Sequence, residues 1–292
     1  MALVLPRREG LLSVGPGQLL AAALIAVILL LFLIIPVATV IYVAFTEKGT
    51  GEFTLVNFVD FVRTDLFVRS FWNSIYVSAM SVVLASLFAL PLATLTTRFE
   101  FRGALIIQTL GFIPLIMPPF VGAVAMQLLF GRNGTVNLLL DDWFGFKIPF
   151  MEGLNGVIFV QAVHYFPFIL VNVSAALRNI DRSMEEAAQN LGCSGFRLFR
   201  RVVFPLALPG YLAGCKQGWA FSWRSLMAAE IIAAGPLLGF GLGAYLKQGS
   251  DFSNMPGVIA AIFLILIVGI GIELLVFRPL ERRVLRARGL AS

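Results

Sequence analysis

The fold of this chain is limited most by its long apolar runs, which are almost free of charge. Six of them, at about 19–45, 74–96, 104–130, 154–177, 211–234 and 258–277, are long enough to cross a bilayer. A hydrocarbon layer about 30 Å thick needs roughly 20 apolar residues in a helix. Backbone groups inside that layer must be satisfied internally. The runs therefore predict an all-α integral membrane protein with about six transmembrane helices. Charged residues make up 13% of the chain, against about 25% in soluble domains, which leaves too few for a water-facing surface.

The first run follows Arg7 and Arg8, as in a signal peptide, but it lacks a small-residue cleavage site and far exceeds an h-region of about 7–15 residues. It reads as a retained helix. The third run contains Pro114, Pro118 and Pro119. A bend at 112–119 is expected, beside a pathway or serving packing alone, because irregular backbone at membrane depth needs protein or a water-lined cavity around it. The formal charge is +6, and such a balance suits nucleic acid or anionic lipid. Here the basic residues lie between apolar runs, so membrane lipid is the expected partner and nucleic acid is not. Arg7, Arg8, Arg98, Arg102, Arg178, Arg182 and the arginines at 197–201 and 278–288 fall on one set of alternate connections. Lys48, Arg63, Arg69, Arg132, Lys147 and Lys247 fall on the other. The positive-inside rule then places both termini in the cytoplasm. Cys193 and Cys215 both fall on that side, where a structural disulfide is not expected, and the single histidine, His164, has no ligand cluster around it.

The connection 178–209 is long and has helical punctuation. Ser183 followed by Glu186 fits a capping box, predicting a short helix that runs to about Leu191. Gly192 can take the left-handed conformation that closes it. Ser194 can cap a second short helix, and Pro205 is expected to end that one. Ala187 and Ala188 put no bulk on the first helix, so a partner surface could approach closely.

This stretch resembles the signature of permease subunits of binding-protein-dependent ABC importers of type I. The signature is Glu-Ala-Ala, three residues, Gly, nine residues, then an aliphatic residue, any residue, an apolar residue and Pro. It is met here by Glu186-Ala187-Ala188, Gly192 and Val202-Val203-Phe204-Pro205. The resemblance implies that the loop is a coupling helix seated in a groove of an ATP-binding subunit, with Glu186, Ala187, Ala188, Gly192, Val202 and Pro205 as its coupling residues. It also implies two such subunits inside, an extracytoplasmic solute-binding protein outside, and a second permease chain, identical or related. The chain would be a multi-pass protein of a bacterial-type cytoplasmic (inner) membrane. Its domains would be a cytoplasmic tail at 1–18, one transmembrane permease domain at 19–278 and a basic cytoplasmic tail at 279–292. No enzymatic chemistry is expected in the chain, and ATP and magnesium belong to the partner. The sequence has no G-x-x-x-x-G-K-[ST] loop to cradle phosphates. The cluster Gly239, Gly241 and Gly243 reads instead as a turn on the outer side.

Lys216, Arg224 and Glu230 occupy the fifth run and Glu273 the sixth. Ionisable groups at bilayer depth face protein or water. Lys216, Arg224 and Glu230 are therefore candidate pathway residues, while a pairing of Arg224 with Glu230 or Glu273 would make them structural. The stretch 218–230 and the tail 279–284 resemble sulfonate, taurine and nitrate permeases, implying a small oxyanion. Residues 112–120 and 128–137 resemble ferric iron, polyamine and thiamine permeases. A secondary transporter driven by an ion gradient would use Arg224, Glu230 and Glu273 as coupling charges, but it would have no need of a docking helix at 183–205.

Overall fold

In an apolar run the backbone has no better partner than itself, and every such run forms helix. The computed structural model describes residues 15–47, 50–63, 65–232, 241–252 and 255–286. Among them the only β pairing is the single bridge between Thr46 and Phe53. The helices are α1 (Pro16–Ala44), α2 (Val56–Arg63), α3 (Asp65–Arg98), α4 (Ala104–Ile116), α5 (Pro119–Phe130), α6 (Thr135–Phe144) and α7 (Gly153–Arg178). They are followed by α8 (Arg182–Asn190), α9 (Gly195–Leu198), α10 (Phe204–Ile232), α11 (Leu242–Asp251), α12 (Met255–Ile272) and α13 (Arg278–Arg286). Three wide π turns interrupt the helical ladder: Leu30–Ile34 inside α1, Phe199–Val203 between α9 and α10, and Glu273–Phe277 between α12 and α13.

Four stretches are long and apolar enough to span a membrane: Pro16–Ala44, Val68–Arg98, Gly153–Arg178 and Gly257–Arg286. A fifth candidate is bent, as a broken span or a re-entrant loop is. Ala104–Ile116 and Pro119–Phe144 meet at 112°. The cause is the pair Pro118-Pro119. A residue that precedes proline is pushed out of the helical region, and both Met117 and Pro118 are extended, with ψ 135°. The bend expected at 112–119 thus falls at its C-terminal end, and Pro114 stays inside α4. The sixth long helix is α10, with 29 residues, or about 43 Å at about 1.5 Å per residue. It is less apolar than the others because Lys216, Arg224 and Glu230 interrupt it.

Helices α3, α7 and α10 form the core, with α7 packed most extensively on α3 and then on α10. Lipid supplies no hydrophobic drive between helices, so close packing depends on small residues. On α3 the buried line is Ser70, Ser74, Ser78, Ser81, Ala85, Ala89 and Ala93, a spacing of three or four that keeps one face small. On α10, Gly214 sits so close to α7 that an added Cβ would lie 2.8 Å from the Cα of Ile169. A polar knot ties the three helices. Gln161 of α7 accepts hydrogen bonds from Ser81 of α3 at 3.0 Å and from Ser222 of α10 at 2.6 Å. Stacked Trp219 and Trp223 fill the other half of the core. By contrast α1 is exposed throughout 16–34, and only its second half packs, against α12.

Candidate functional site: the docking loop and the polar face of α10

Helix α8 begins one residue after Asp181, and this corrects the expected cap. The Asp181 carboxylate accepts from the backbone N–H of Ser183 at 2.9 Å. Ser183 is therefore already inside the helix, and the Ser183–Glu186 capping box does not form. Asp is at least as good an N-cap as Ser, and it stands two residues earlier. The same hydrogen bond holds the Asp181 carboxyl below its usual range. The other end follows the expectation: Gly192 has φ +78°. The N–H of Gly192 donates to Gln189 O at 2.8 Å and that of Cys193 to Ala188 O at 3.0 Å, which together make a Schellman closure.

Ser194 precedes α9, but its side chain makes no capping bond. Pro205 does not end the helix, contrary to expectation. The chain stays helical from Gly195 to Ile232 through the π turn Phe199–Val203. Proline removes a backbone donor and crowds the carbonyl four residues back. The widened turn immediately upstream gives that ring room.

The loop's predicted coupling residues divide into two groups. Glu186, Ala187 and Gly192 are exposed. Ala188 and Val202 pack against the α3–α7–α10 core, and Pro205 is half-buried. The same loop displays large apolar side chains, with Leu191 89%, Phe196 76% and Met184 51% exposed. They stand with Arg197, Arg200 and Arg201, also exposed. Sequence reasoning missed Glu185. It forms an ion pair with Arg98, the last residue of α3, and the two side chains are 16% and 19% exposed. Arg98 had counted only as one of the positive-inside residues, and nothing in the spacing marks a partner 87 residues away.

In the membrane region the candidate charges do not converge. Lys216 pairs with Glu273 at 2.7 Å, joining α10 to the π turn after α12. Glu230 accepts from the N–H of Gly243 at 2.7 Å and from Ser74 at 3.4 Å, so it binds α11 and α3 to α10. Arg224 pairs with neither glutamate among the described residues. Its Nε donates to Ala220 O at 2.8 Å, and its guanidinium lies 5.0 Å from the centre of the Phe221 ring. Phe221 stacks on Phe168 at 4.4 Å. One helical turn towards the loop, Asn172 donates to Gln217 at 3.0 Å. Gln217, Phe221 and Arg224 share one exposed face of α10, a polar and aromatic strip on a surface otherwise suited to lipid. His164 makes an edge-to-face contact with Tyr165 at 5.0 Å. No group of three or more His, Cys, Asp or Glu able to hold a metal occurs among the described residues.

On the side away from the docking loop, buried Asn137 holds the connection after α5. Its Nδ2 donates to the carbonyls of Gly131 and Ile148, and its Oδ1 accepts from the N–H of Ile148. Gly241 and Gly243 of the expected outer glycine turn sit at the start of α11. Gly239, residues 1–14 of the predicted tail 1–18 and residues 287–292 of the predicted tail 279–292 lie outside the described residues.

A helical membrane body carries a two-helix loop that exposes large apolar side chains. The chain belongs to the family of binding-protein-dependent transport system inner membrane components, whose model matches residues 81–286. It is a permease subunit of the type I ABC importer class, a transport component. The ferric transport system permease protein FbpB of Actinobacillus pleuropneumoniae is 31% identical over 66% of this chain and 28% of its own length. The molybdenum transport system permease protein ModB of Haemophilus influenzae is 36% identical over 51% of this chain and 66% of its own. The chain thus spans under a third of the first relative and about two thirds of the second. In fold it is similar to a chain of a bacterial ABC transporter that imports the acidic polysaccharide alginate, at a TM-score of 0.73 and 19% identity over 91% of this chain and 96% of that one. It is also similar to a chain of the MetNI methionine ABC transporter, at a TM-score of 0.57 and 20% identity over 75% of this chain and 96% of that one.

Proposed function

We infer that this chain forms one wall of the translocation pathway of an ATP-driven importer, with one of two ATP-binding subunits seated on the α8–α9 loop. The observation that carries this is that the loop exposes the large apolar side chains Met184, Leu191 and Phe196 together with Glu186, Ala187 and Gly192. Such a loop in water calls for a protein partner. The cap at Asp181 and the closure at Gly192 hold it rigid. A second permease chain, a copy or a relative, completes the pathway opposite the strip of Gln217, Phe221 and Arg224. A solute-binding protein delivers cargo to the outer side, where Asn137 orders a connection. Both termini lie in the cytoplasm, with 1–18 and 279–292 as tails around the permease domain 19–278. ATP and magnesium reside in the partner.

The cargo we favour is a small oxyanion. Arg224 is the one candidate pathway charge that stays exposed without a carboxylate beside it among the described residues. An anion suits a guanidinium there. Relatives named for molybdenum, sulfate and 2-aminoethylphosphonate transport support this reading, and the FbpB relative supports ferric iron instead.

The test is ATP hydrolysis by the reconstituted complex, wild type against Gly192→Asp, with the binding protein loaded in turn with molybdate, sulfate, 2-aminoethylphosphonate, nitrate, taurine or ferric iron. An L-residue at φ +78° is strained by roughly 1–2 kcal/mol and adds a charge to the docking face. Stimulation by one oxyanion, lost in Gly192→Asp while the complex still assembles, is the expected result. Stimulation by ferric iron alone moves the cargo to the alternative. Uptake that follows an ion gradient without any ATPase refutes the importer reading.

A further inference from the structure

The loop that carries the docking face is tied covalently to only two of the three core helices. Through Asn179 and Ile180 it continues α7, and through the π turn Phe199–Val203 it runs into α10. Helix α3 reaches the loop in another way: its last residue, Arg98, forms the ion pair with Glu185 in the first turn of α8. Both side chains are mostly buried. The remaining guanidinium nitrogens of Arg98, Nε and Nη2, are buried and have no hydrogen-bond partner among the described residues. The cation therefore depends on this one carboxylate. A buried charge left unpaired is strongly unfavourable, so the pair resists separation when α8 is pushed.

We propose that the Arg98–Glu185 pair is a strut that carries displacement of the docking helix into α3, which makes Arg98 and Glu185 positioning residues for transport. α3 packs on both α7 and α10 and carries Ser74, which donates to Glu230, the carboxylate that holds the start of α11. With the strut in place, α8 moves α3, α7 and α10 as one body. Without it, the end of α3 at Arg98 loses its direct tie to α8 and follows only through its packing on α7 and α10. The transport consequence rests on the importer reading above. The mechanical one does not.

Two measurements test the strut. In the first, nitroxides at exposed Phe99 and Gln189 of the full chain in lipid nanodiscs report the distance between the end of α3 and α8. The wild type should give a narrow distribution, and Arg98→Gln and Glu185→Gln a broad one. The double variant Arg98→Glu/Glu185→Arg should narrow it again. In the second, the complete importer is loaded with whichever solute of the panel above stimulates ATP hydrolysis, and solute moved per ATP is compared. The single variants should keep the ATP-binding subunits bound and should keep hydrolysing, while transport per ATP falls about tenfold, within the roughly 5–150-fold span of coupling between sites. The charge-swapped pair should recover it. A narrow distribution in both single variants overturns the proposal whether or not the chain is an importer. So do single variants that transport normally, that shed the ATP-binding subunits, or whose defect the swapped pair leaves in place.

Discussion

Replacing Gln161 with Leu should loosen the three-helix core by about 1–2 kcal/mol, and the structure says which bond is responsible. Leu matches Gln closely in volume, so no cavity opens. Two acceptor contacts are lost, those to Ser81 and Ser222, together with a long donation from Nε2 to the Ser222 carbonyl at 3.5 Å, which Ser225 also serves. They are not equivalent. The Ser81 hydroxyl already lies 2.7 Å from the carbonyl of Val77 on its own helix and falls back on it at little cost. Ser222 is fully buried, and Gln161 is the acceptor of its hydroxyl. Interhelical hydrogen bonds in membranes are worth about 0.6 kcal/mol on average and up to about 1.7 kcal/mol, and the Ser222 bond, short and dry, belongs at the upper end. The assay is reversible unfolding in mixed detergent micelles, run as a double-mutant cycle with Ser222→Ala and, separately, with Ser81→Ala. The cycle with Ser222 should give a coupling of about 1 kcal/mol and the cycle with Ser81 close to none. Equal couplings in the two cycles, or none in either, would refute the assignment of the knot's energy to the α7–α10 bond.

Further consequences concern packing, the cap and the docking face. Gly214→Leu drives a side chain into the Cα of Ile169, 2.8 Å from where its Cβ would stand. Overpacking of this kind costs about 1–3 kcal/mol, so a clear fall in thermal midpoint is expected, and an unchanged midpoint would mean that α7 and α10 cross less closely than described. Asp181→Ala should speed amide exchange at Ser183, the N–H that the carboxylate accepts from. Because the native carboxyl is held below its ordinary value, the cap is fully present above the ordinary aspartate range and is lost as pH falls through the lower native value. Protection of Ser183 should follow that acid titration in the wild type and be flat in Asp181→Ala. Phe196→Ser, at a side chain 76% exposed, should leave the isolated chain's stability within about 0.5 kcal/mol yet weaken capture of the ATP-binding subunits in a pull-down. A large loss of stability in the isolated chain would place Phe196 in the fold instead of in the interface.

The spans were legible because a bilayer imposes a length and a composition that few other constraints can imitate. Gly192 was legible for a similar reason: a glycine at the end of a short helix has one obvious use. The cap was misread because Ser183 and Glu186 fit a familiar pattern, while Asp181, two residues earlier, satisfies the same orphan amides. Pro205 was misread because its rule assumes a regular α-turn before it, and no residue type announces a π turn. Long-range pairs are a different matter. Lys216 and Arg224 look alike in sequence, yet one meets Glu273 and the other lies over Phe221. Arg98 and Glu185 meet only once three helices have been packed. Charges within a helix can be located by counting, but their partners depend on tertiary geometry.

The π turn at Phe199–Val203 fixes a phase as well as making room for a proline. An α-helix turns about 100° with each residue, and a π turn carries one residue more than the ladder around it needs. Deleting a single residue there would leave an uninterrupted α-helix, with α10 rolled by about 100° against the docking loop. Gln217, Phe221 and Arg224 would then leave the face they now share, and Trp219 and Trp223 would leave the core, although no side chain had changed. Between 199 and 203 only Arg200 and Arg201 are exposed, so the segment is held by its length as well as by its buried side chains.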